Sequence, residues 1–141
     1  MVGRGILLGG ASGLVSGLAS GVILHFMWVL APFPLLVARP PSVVTGWVVH
    51  LVMSGVAGMI FGAIVEPLNL TGRQLLLAGM LTGVALFLLG PVTLVPAIIG
   101  LRPQFPVLNK WLKVGAAYLA LGAVLGAAYS VASKRPLERQ V

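Results

Sequence analysis

Four long stretches of the sequence contain no Asp, Glu, Lys or Arg, and they cover 5–38, 40–65, 74–101 and 114–133. Each can form a helix that crosses a hydrocarbon core of about 30 Å, which takes about 20 residues. Nothing in the sequence alternates with the period of two that is typical of a membrane β-barrel. The sequence therefore predicts an all-α membrane protein with four transmembrane helices. We place these helices at about 5–31, 42–66, 74–100 and 111–133.

The segments between the predicted helices are short and rich in proline. A polar tail follows at 134–141, and the whole chain, 1–141, is interpreted as a single four-helix transmembrane domain. We expect this domain in the inner (plasma) membrane. An even number of helices places both termini on one side, where five basic residues lie against four on the other. This small excess favours cytoplasmic termini under the positive-inside rule.

The composition excludes several kinds of chemistry. Of 141 residues, 59% are hydrophobic and 8% are charged, whereas soluble domains carry roughly 25% charged residues. The chain has no cysteine, which excludes disulfides, thiolate metal sites and cysteine nucleophiles. Only two acidic residues are present, so a catalytic carboxylate pair is not expected either. The sequence predicts no catalytic group and no dedicated metal-binding cluster.

The net charge of +7 comes from basic residues that lie near both predicted membrane surfaces. Binding of nucleic acid requires a clustered basic surface, so we expect no nucleic-acid partner. Basic residues at these positions favour contact with the anionic headgroups of the lipid bilayer. Glu66 lies at the same predicted surface as Arg4 and Arg73, and the sequence predicts a solvated ion pair there.

The two halves of the chain resemble each other. At an offset of 69, Arg4 and Gly10 match Arg73 and Gly79, and at an offset of 64 Trp47 matches Trp111. Two helical hairpins related in this way would be parallel repeats about an axis along the membrane normal. Chance similarity between Gly-, Ala- and Leu-rich helices is the alternative interpretation.

Small residues recur at every fourth position in the predicted helices. Such stripes let two helix backbones approach closely, and close packing drives helix association in lipid. The residues that we expect to pack helices together are Gly9, Gly13, Gly17, Gly21, Gly46, Ser54, Gly58, Gly62, Gly122 and Gly126. The same faces could contact other membrane-protein subunits or a second copy of this chain.

His25 and His50 are expected at a similar depth in neighbouring helices. Two imidazoles placed in this way can ligate a haem iron or a metal, and a single one can ligate a chlorophyll-type pigment. The alternative is that each neutral histidine forms a hydrogen bond with Ser16, Ser20, Ser54 or a backbone carbonyl. Neither histidine is repeated, because Leu94 and Val114 occupy the corresponding positions.

The third predicted helix contains Pro91 and Pro96. Each proline removes a backbone donor and should kink or break the helix. Thr93 is a candidate to bond the carbonyls that are freed. A broken helix is typical of transporter substrate sites, whereas a plain kink needs no function.

One group of residues resembles a known family. The glycine stripe of the first helix is followed by Gly46-Trp47-Val48-Val49-His50, with Gly58 and Phe61 beyond it. The third helix continues the pattern at Gly79, Gly83, Gly90, Pro96 and Gly100. Over roughly 5–101 the chain resembles a family of small, uncharacterised four-helix membrane proteins of bacteria and archaea. This resemblance implies the same architecture and carries no activity.

Three functions follow from the sequence as expectations. The first is a non-enzymatic accessory or scaffold subunit of a larger membrane complex. The second is an electron-transfer module that holds haem, a metal or a pigment through His25 and His50. The third is an oligomeric channel or transporter for small solutes that is gated by the broken third helix.

Overall fold

A computed structural model describes residues 2–27, 30, 40, 42–94, 97 and 108–134 of the chain. It contains four long helices, which we number in chain order. They are α1 (Val2–Phe26), α2 (Val43–Val65), α3 (Gly72–Phe87, continued by a π-helical segment, Leu88–Leu94) and α4 (Leu108–Ser133). The described part of the chain contains no β-strand.

All four helices are long and apolar enough to cross a membrane. The candidate spans are Gly3–Phe26, Val43–Val65, Gly72–Leu94 and Trp111–Ser133. The predicted all-α fold with four membrane-spanning helices is therefore confirmed. The polar tail lies outside the described residues beyond Lys134.

Helix α1 ends at Phe26, five residues before the end that the sequence predicts. Met27 lies in a turn that follows the helix. Leu30 is fully buried, and its carbonyl group lies against the backbone of Gly46. A side chain on Gly46 would overlap this carbonyl, so glycine is required for the close approach. The end of α1 is thus set by a tertiary contact.

The turn between α2 and α3 is built from short-range hydrogen bonds. Asn69 has a φ of 50°, a left-handed conformation that asparagine tolerates better than most residues. Its side chain donates to the carbonyl oxygen of Pro67 at 3.3 Å. At the start of α3, the Oε1 atom of Gln74 accepts from the backbone N–H of Thr71 at 2.9 Å. The Gln74 bond satisfies a backbone donor at the start of α3, and the Asn69 bond stabilises the turn that precedes it.

The proline in the third helix widens the helix without ending it. The π-helical segment Leu88–Leu94 contains Pro91, which cannot donate a backbone hydrogen bond. The hydroxyl group of Thr93 donates to the carbonyl oxygen of Leu88 at 2.7 Å. Thr93 therefore bonds a carbonyl within the π-helical segment. That it replaces the donor missing at Pro91 stays a prediction. The rest of the predicted third helix, apart from residue 97, lies outside the described residues.

Two antiparallel hairpins make up the bundle. Helix α1 packs closely on α2, and α3 packs closely on α4, while α1 also runs along α4. In contrast, α2 and α3 touch each other at only a few points. The buried apolar side chains form two clusters, one around Leu24 and Val49 and the other around Phe61 and Tyr129.

The helix contacts within the two hairpins follow the same pattern. A Cβ atom added to Gly9 would overlap the carbonyl oxygen of Gly58, and one added to Gly79 would overlap that of Gly122. Gly13 approaches the Ser54 carbonyl in the same way that Gly83 approaches the Tyr118 carbonyl. These pairs correspond at offsets of 70 and 64. Between α1 and α3 the structural offset is therefore 70, whereas the sequence alignment indicates 69. The difference arises because the glycine contacts fix the register of the helices.

Candidate functional site

His50 lies inside the bundle and joins α2 to α1. Only 3% of its surface is exposed. Its Nε2 atom lies 3.0 Å from the carbonyl oxygen of Gly17 and 3.2 Å from the Oγ atom of Ser20. A carbonyl oxygen can only accept, so Nε2 carries a proton and donates to Gly17. These contacts are of the kind that the hydrogen-bonding alternative predicts, and a protonated Nε2 cannot ligate a metal.

Trp47 contacts both histidines. Its indole Nε1–H donates to Nδ1 of His25 at 3.4 Å. Its ring centroid lies 6.1 Å from that of His25 and 6.5 Å from that of His50. His25 is exposed, whereas His50 is buried. The two imidazoles are therefore linked through an indole ring and engaged in separate hydrogen bonds.

Glycines on α1 make room for this group. A Cβ atom on Gly17 would lie 2.6 Å from Cβ of Ser54. A side chain on Gly21 would overlap the Trp47 ring and would approach Cδ2 of His50 at 3.2 Å. In the second hairpin the offset of 70 places Phe87 where the first hairpin has Gly17. Phe87 packs there against Trp111 and Tyr118, with ring centroids 5.9 and 6.0 Å apart.

The small residues that the sequence singles out are buried between helices of this chain. Gly9, Gly13, Gly58 and Gly62 lie in the contact between α1 and α2. Gly122 and Gly126 lie against the backbone of α3. Because these stripes are used within the monomer, they are not free to contact another protein.

A cavity of about 150 Å³ lies between α2, α3 and α4 beside His50. Ser54 and Tyr118 are the lining residues that carry hydroxyl groups, and the wall is almost entirely apolar. The π-helical segment contributes Leu89, Gly90 and Leu94. Segments of this type occur often at functional sites. This cavity could not be predicted from the sequence, because Tyr118 resembles an ordinary packing residue.

An apolar groove of about 660 Å³ runs between α2 and α3. Its walls extend from Val52 to Leu68 on one side and from Ala78 to Leu89 on the other, with Leu70 from the turn. The groove and the cavity share Met53, Ala57, Leu86 and Leu89, so the two spaces adjoin each other at these residues.

A polar cluster joins three helix ends at the side of the termini. Arg4 donates through Nη1 to Oε1 of Glu66 at 3.0 Å and through Nη2 to the carbonyl oxygen of Ser133 at 3.0 Å. The hydroxyl group of Tyr129 donates to Oε2 of Glu66 at 2.6 Å. The Glu66 side chain is only 13% exposed.

The cluster also sets the charge state of Glu66. The hydrogen bond from Tyr129 lowers the pKa of the Glu66 carboxyl below its ordinary value of 4.5. Partial burial opposes this shift, and the hydrogen bond and positive charge of Arg4 add to it. The pair with Arg4 is thus less solvated than the sequence predicts, because Tyr129 packs over the carboxylate from a distant helix.

The described residues contain no group of three or more His, Cys, Asp or Glu side chains that could hold a metal ion. No protein-family model, curated protein or solved structure matches the chain. The family resemblance of the glycine pattern therefore stays an expectation, and the function has to be argued from the geometry.

Proposed function

We propose that this protein is a non-enzymatic integral membrane protein that serves as an accessory or scaffold subunit of a larger membrane assembly. One observation supports this most strongly. The polar side chains of His50, Glu66 and Tyr129 form hydrogen bonds that join one helix of the chain to another. Polar groups that form hydrogen bonds between helices stabilise the packing of the helix bundle in the membrane.

Partner proteins have to contact the outward surface of the helix bundle, since the glycine stripes are buried between its helices. That surface consists of long apolar side chains. On α1 it includes Leu14 and Leu18, which are 47% and 53% exposed, and on α2 it includes Val56 and Ile60, which are 48% and 57% exposed. We infer that a neighbouring subunit packs on such a face through side chains.

Site-specific photo-crosslinking in native membranes tests this proposal. A benzophenone amino acid is placed at Leu14 or Leu18 on α1, and at Val56 or Ile60 on α2. We expect one face to give a discrete protein adduct of constant mass and the other to give lipid adducts. Buried Leu125 serves as the control position, because a crosslink from it can only be intramolecular. Lipid adducts alone at all four outward positions would contradict an accessory role.

A further inference from the structure

Two hydroxyl groups in the cavity wall have no hydrogen-bond partner among the described residues. Ser54 is only 6% exposed and Tyr118 is half-buried. Neither hydroxyl bonds to another described group, and neither oxygen is fully enclosed by protein atoms. An unbonded hydroxyl in an apolar medium is unfavourable by roughly 1–3 kcal/mol on protein scales. Bulk water does not relieve this cost inside a bilayer. Both groups therefore indicate a molecule that supplies a hydrogen-bond acceptor.

The cavity limits the size and charge of such a molecule. Its volume of about 150 Å³ is similar to that of dry protein cavities that bind benzene. Among the described residues, no Asp, Glu, Lys or Arg contributes to its wall. A charged headgroup would have no counter-ion in this cavity, and burial of an unpaired charge costs a large free energy. The space fits a single uncharged ring.

The groove provides room for an apolar tail. Its lining is apolar except for Thr82, whose hydroxyl group already donates to the Ala78 carbonyl at 2.9 Å. The groove opens between α2 and α3, neighbouring helices that barely touch, and it borders the cavity at Met53 and Ala57. A tail attached to a ring in the cavity would reach the groove at these residues.

We propose that the cavity and the groove together bind a quinone-type lipid, a neutral molecule with a carbonyl-bearing ring and an apolar tail. The ring lies in the cavity, where the hydroxyl groups of Ser54 and Tyr118 donate to its carbonyl oxygens. The tail lies in the groove between α2 and α3. A glycerolipid also carries carbonyl groups, but its phosphate head would have no charged partner in the cavity. This proposal does not depend on the accessory role.

Binding of a decyl-substituted benzoquinone to the protein in lipid nanodiscs tests the proposal. The wild-type protein should bind it saturably, above the partition into empty nanodiscs. Ser54→Ala and Tyr118→Phe each remove one donor with little change of shape. We expect each to weaken binding by about 3- to 10-fold, since one hydrogen bond contributes about 1 kcal/mol. Ala57→Leu places a larger side chain at the junction of the two spaces and should abolish saturable binding.

Matched variants separate this effect from general damage. Ser16→Ala removes a buried hydroxyl that bonds the Gly13 carbonyl, and Tyr129→Phe removes one at the Glu66 cluster. Both should bind the quinone as the wild type does, and the melting temperature reports whether each variant is folded. The proposal fails if nanodiscs with the wild-type protein take up no more quinone than empty nanodiscs. It also fails if the folded Ser54→Ala and Tyr118→Phe variants bind the quinone with wild-type affinity. It also fails if phosphatidylglycerol displaces the quinone from the wild type.

Discussion

At the scale of single residues, His50 shows how a polar side chain can be accommodated in a membrane helix. Its Nε2 atom donates to the Gly17 carbonyl and lies beside Ser20, and both groups belong to α1. The absence of side chains at Gly17 and Gly21 leaves room for the imidazole and the neighbouring indole. The sequence indicated the type of partner. The particular serine could not be predicted, because it depends on how the glycine contacts rotate the two helices.

Replacement of His50 should weaken the first hairpin. His50→Ala removes the Nε2–H bond to the Gly17 carbonyl, which then keeps only the longer bond from Ser20 Oγ among its side-chain donors, and it opens a void beside Ser54. We expect the free energy of unfolding to fall by about 1–2 kcal/mol, the range of strong interhelical hydrogen bonds. Reversible unfolding in mixed detergent micelles measures this change. His25→Ala is the control, since His25 is exposed and its bond with the Trp47 indole is longer, at 3.4 Å. An equal loss in both variants would contradict the role of His50.

Glu66 should make the stability depend on pH. Its pKa is lowered in the folded protein by the Tyr129 hydrogen bond and by Arg4. The stabilisation is therefore present above pH 4.5 and is lost as the pH falls through the lower folded-state pKa. We expect Glu66→Gln to flatten the acid limb of a plot of unfolding free energy against pH. An acid limb identical to that of the wild type would show that Glu66 does not couple protonation to folding.

At the scale of helices, the charge-free windows are sufficient to predict the spans, whereas their ends depend on contacts between distant residues. Helix α2 begins and ends within one residue of its predicted limits. Helix α1 ends early because Leu30 is buried against Gly46. The bond between Glu66 and Tyr129 joins residues that are 63 apart in the chain. No local pattern could have indicated it.

The glycine contacts between helices provide a matched test. Gly58→Ala places a methyl group on the backbone of Gly9 and Gly13, and we expect it to cost about 1–3 kcal/mol of stability through overpacking. At Gly3, no other atom lies within 4 Å of the position that a Cβ atom would take. Gly3→Ala should thus be neutral or stabilising by up to about 1 kcal/mol, since alanine favours a helix. Detergent unfolding of both variants measures the difference, and an equal effect would contradict close packing at Gly58.

At the scale of the whole molecule, the bundle is closed on three sides and open on the fourth. The recurrent contacts at offsets of 70 and 64 support the proposal of two hairpin repeats. The repeats differ where Phe87 and Tyr118 replace Gly17 and Ser54. Helix α1 packs along α4, but α2 and α3 remain apart. This asymmetry produces the groove. The groove could not be predicted from the sequence, because residue patterns within single helices do not show which pairs of helices pack together.

The start of α1 and the end of α4 lie together in the bundle, and we propose that both termini are on the cytoplasmic side of the membrane. Arg4 supports the shared side, because it contacts the ends of both α2 and α4. A fluorescent protein fused after Val141 should fluoresce, whereas alkaline phosphatase fused there should be inactive. The opposite pair of results would place the termini outside.

Above all, we propose that the histidines hold helices together and do not bind a cofactor. The absorption spectrum and metal content of the purified protein test this claim directly. We expect no visible absorption band and no stoichiometric metal, and an unchanged visible spectrum for His50→Ala. A haem or pigment band in the wild type that shifts or disappears in His50→Ala would contradict it.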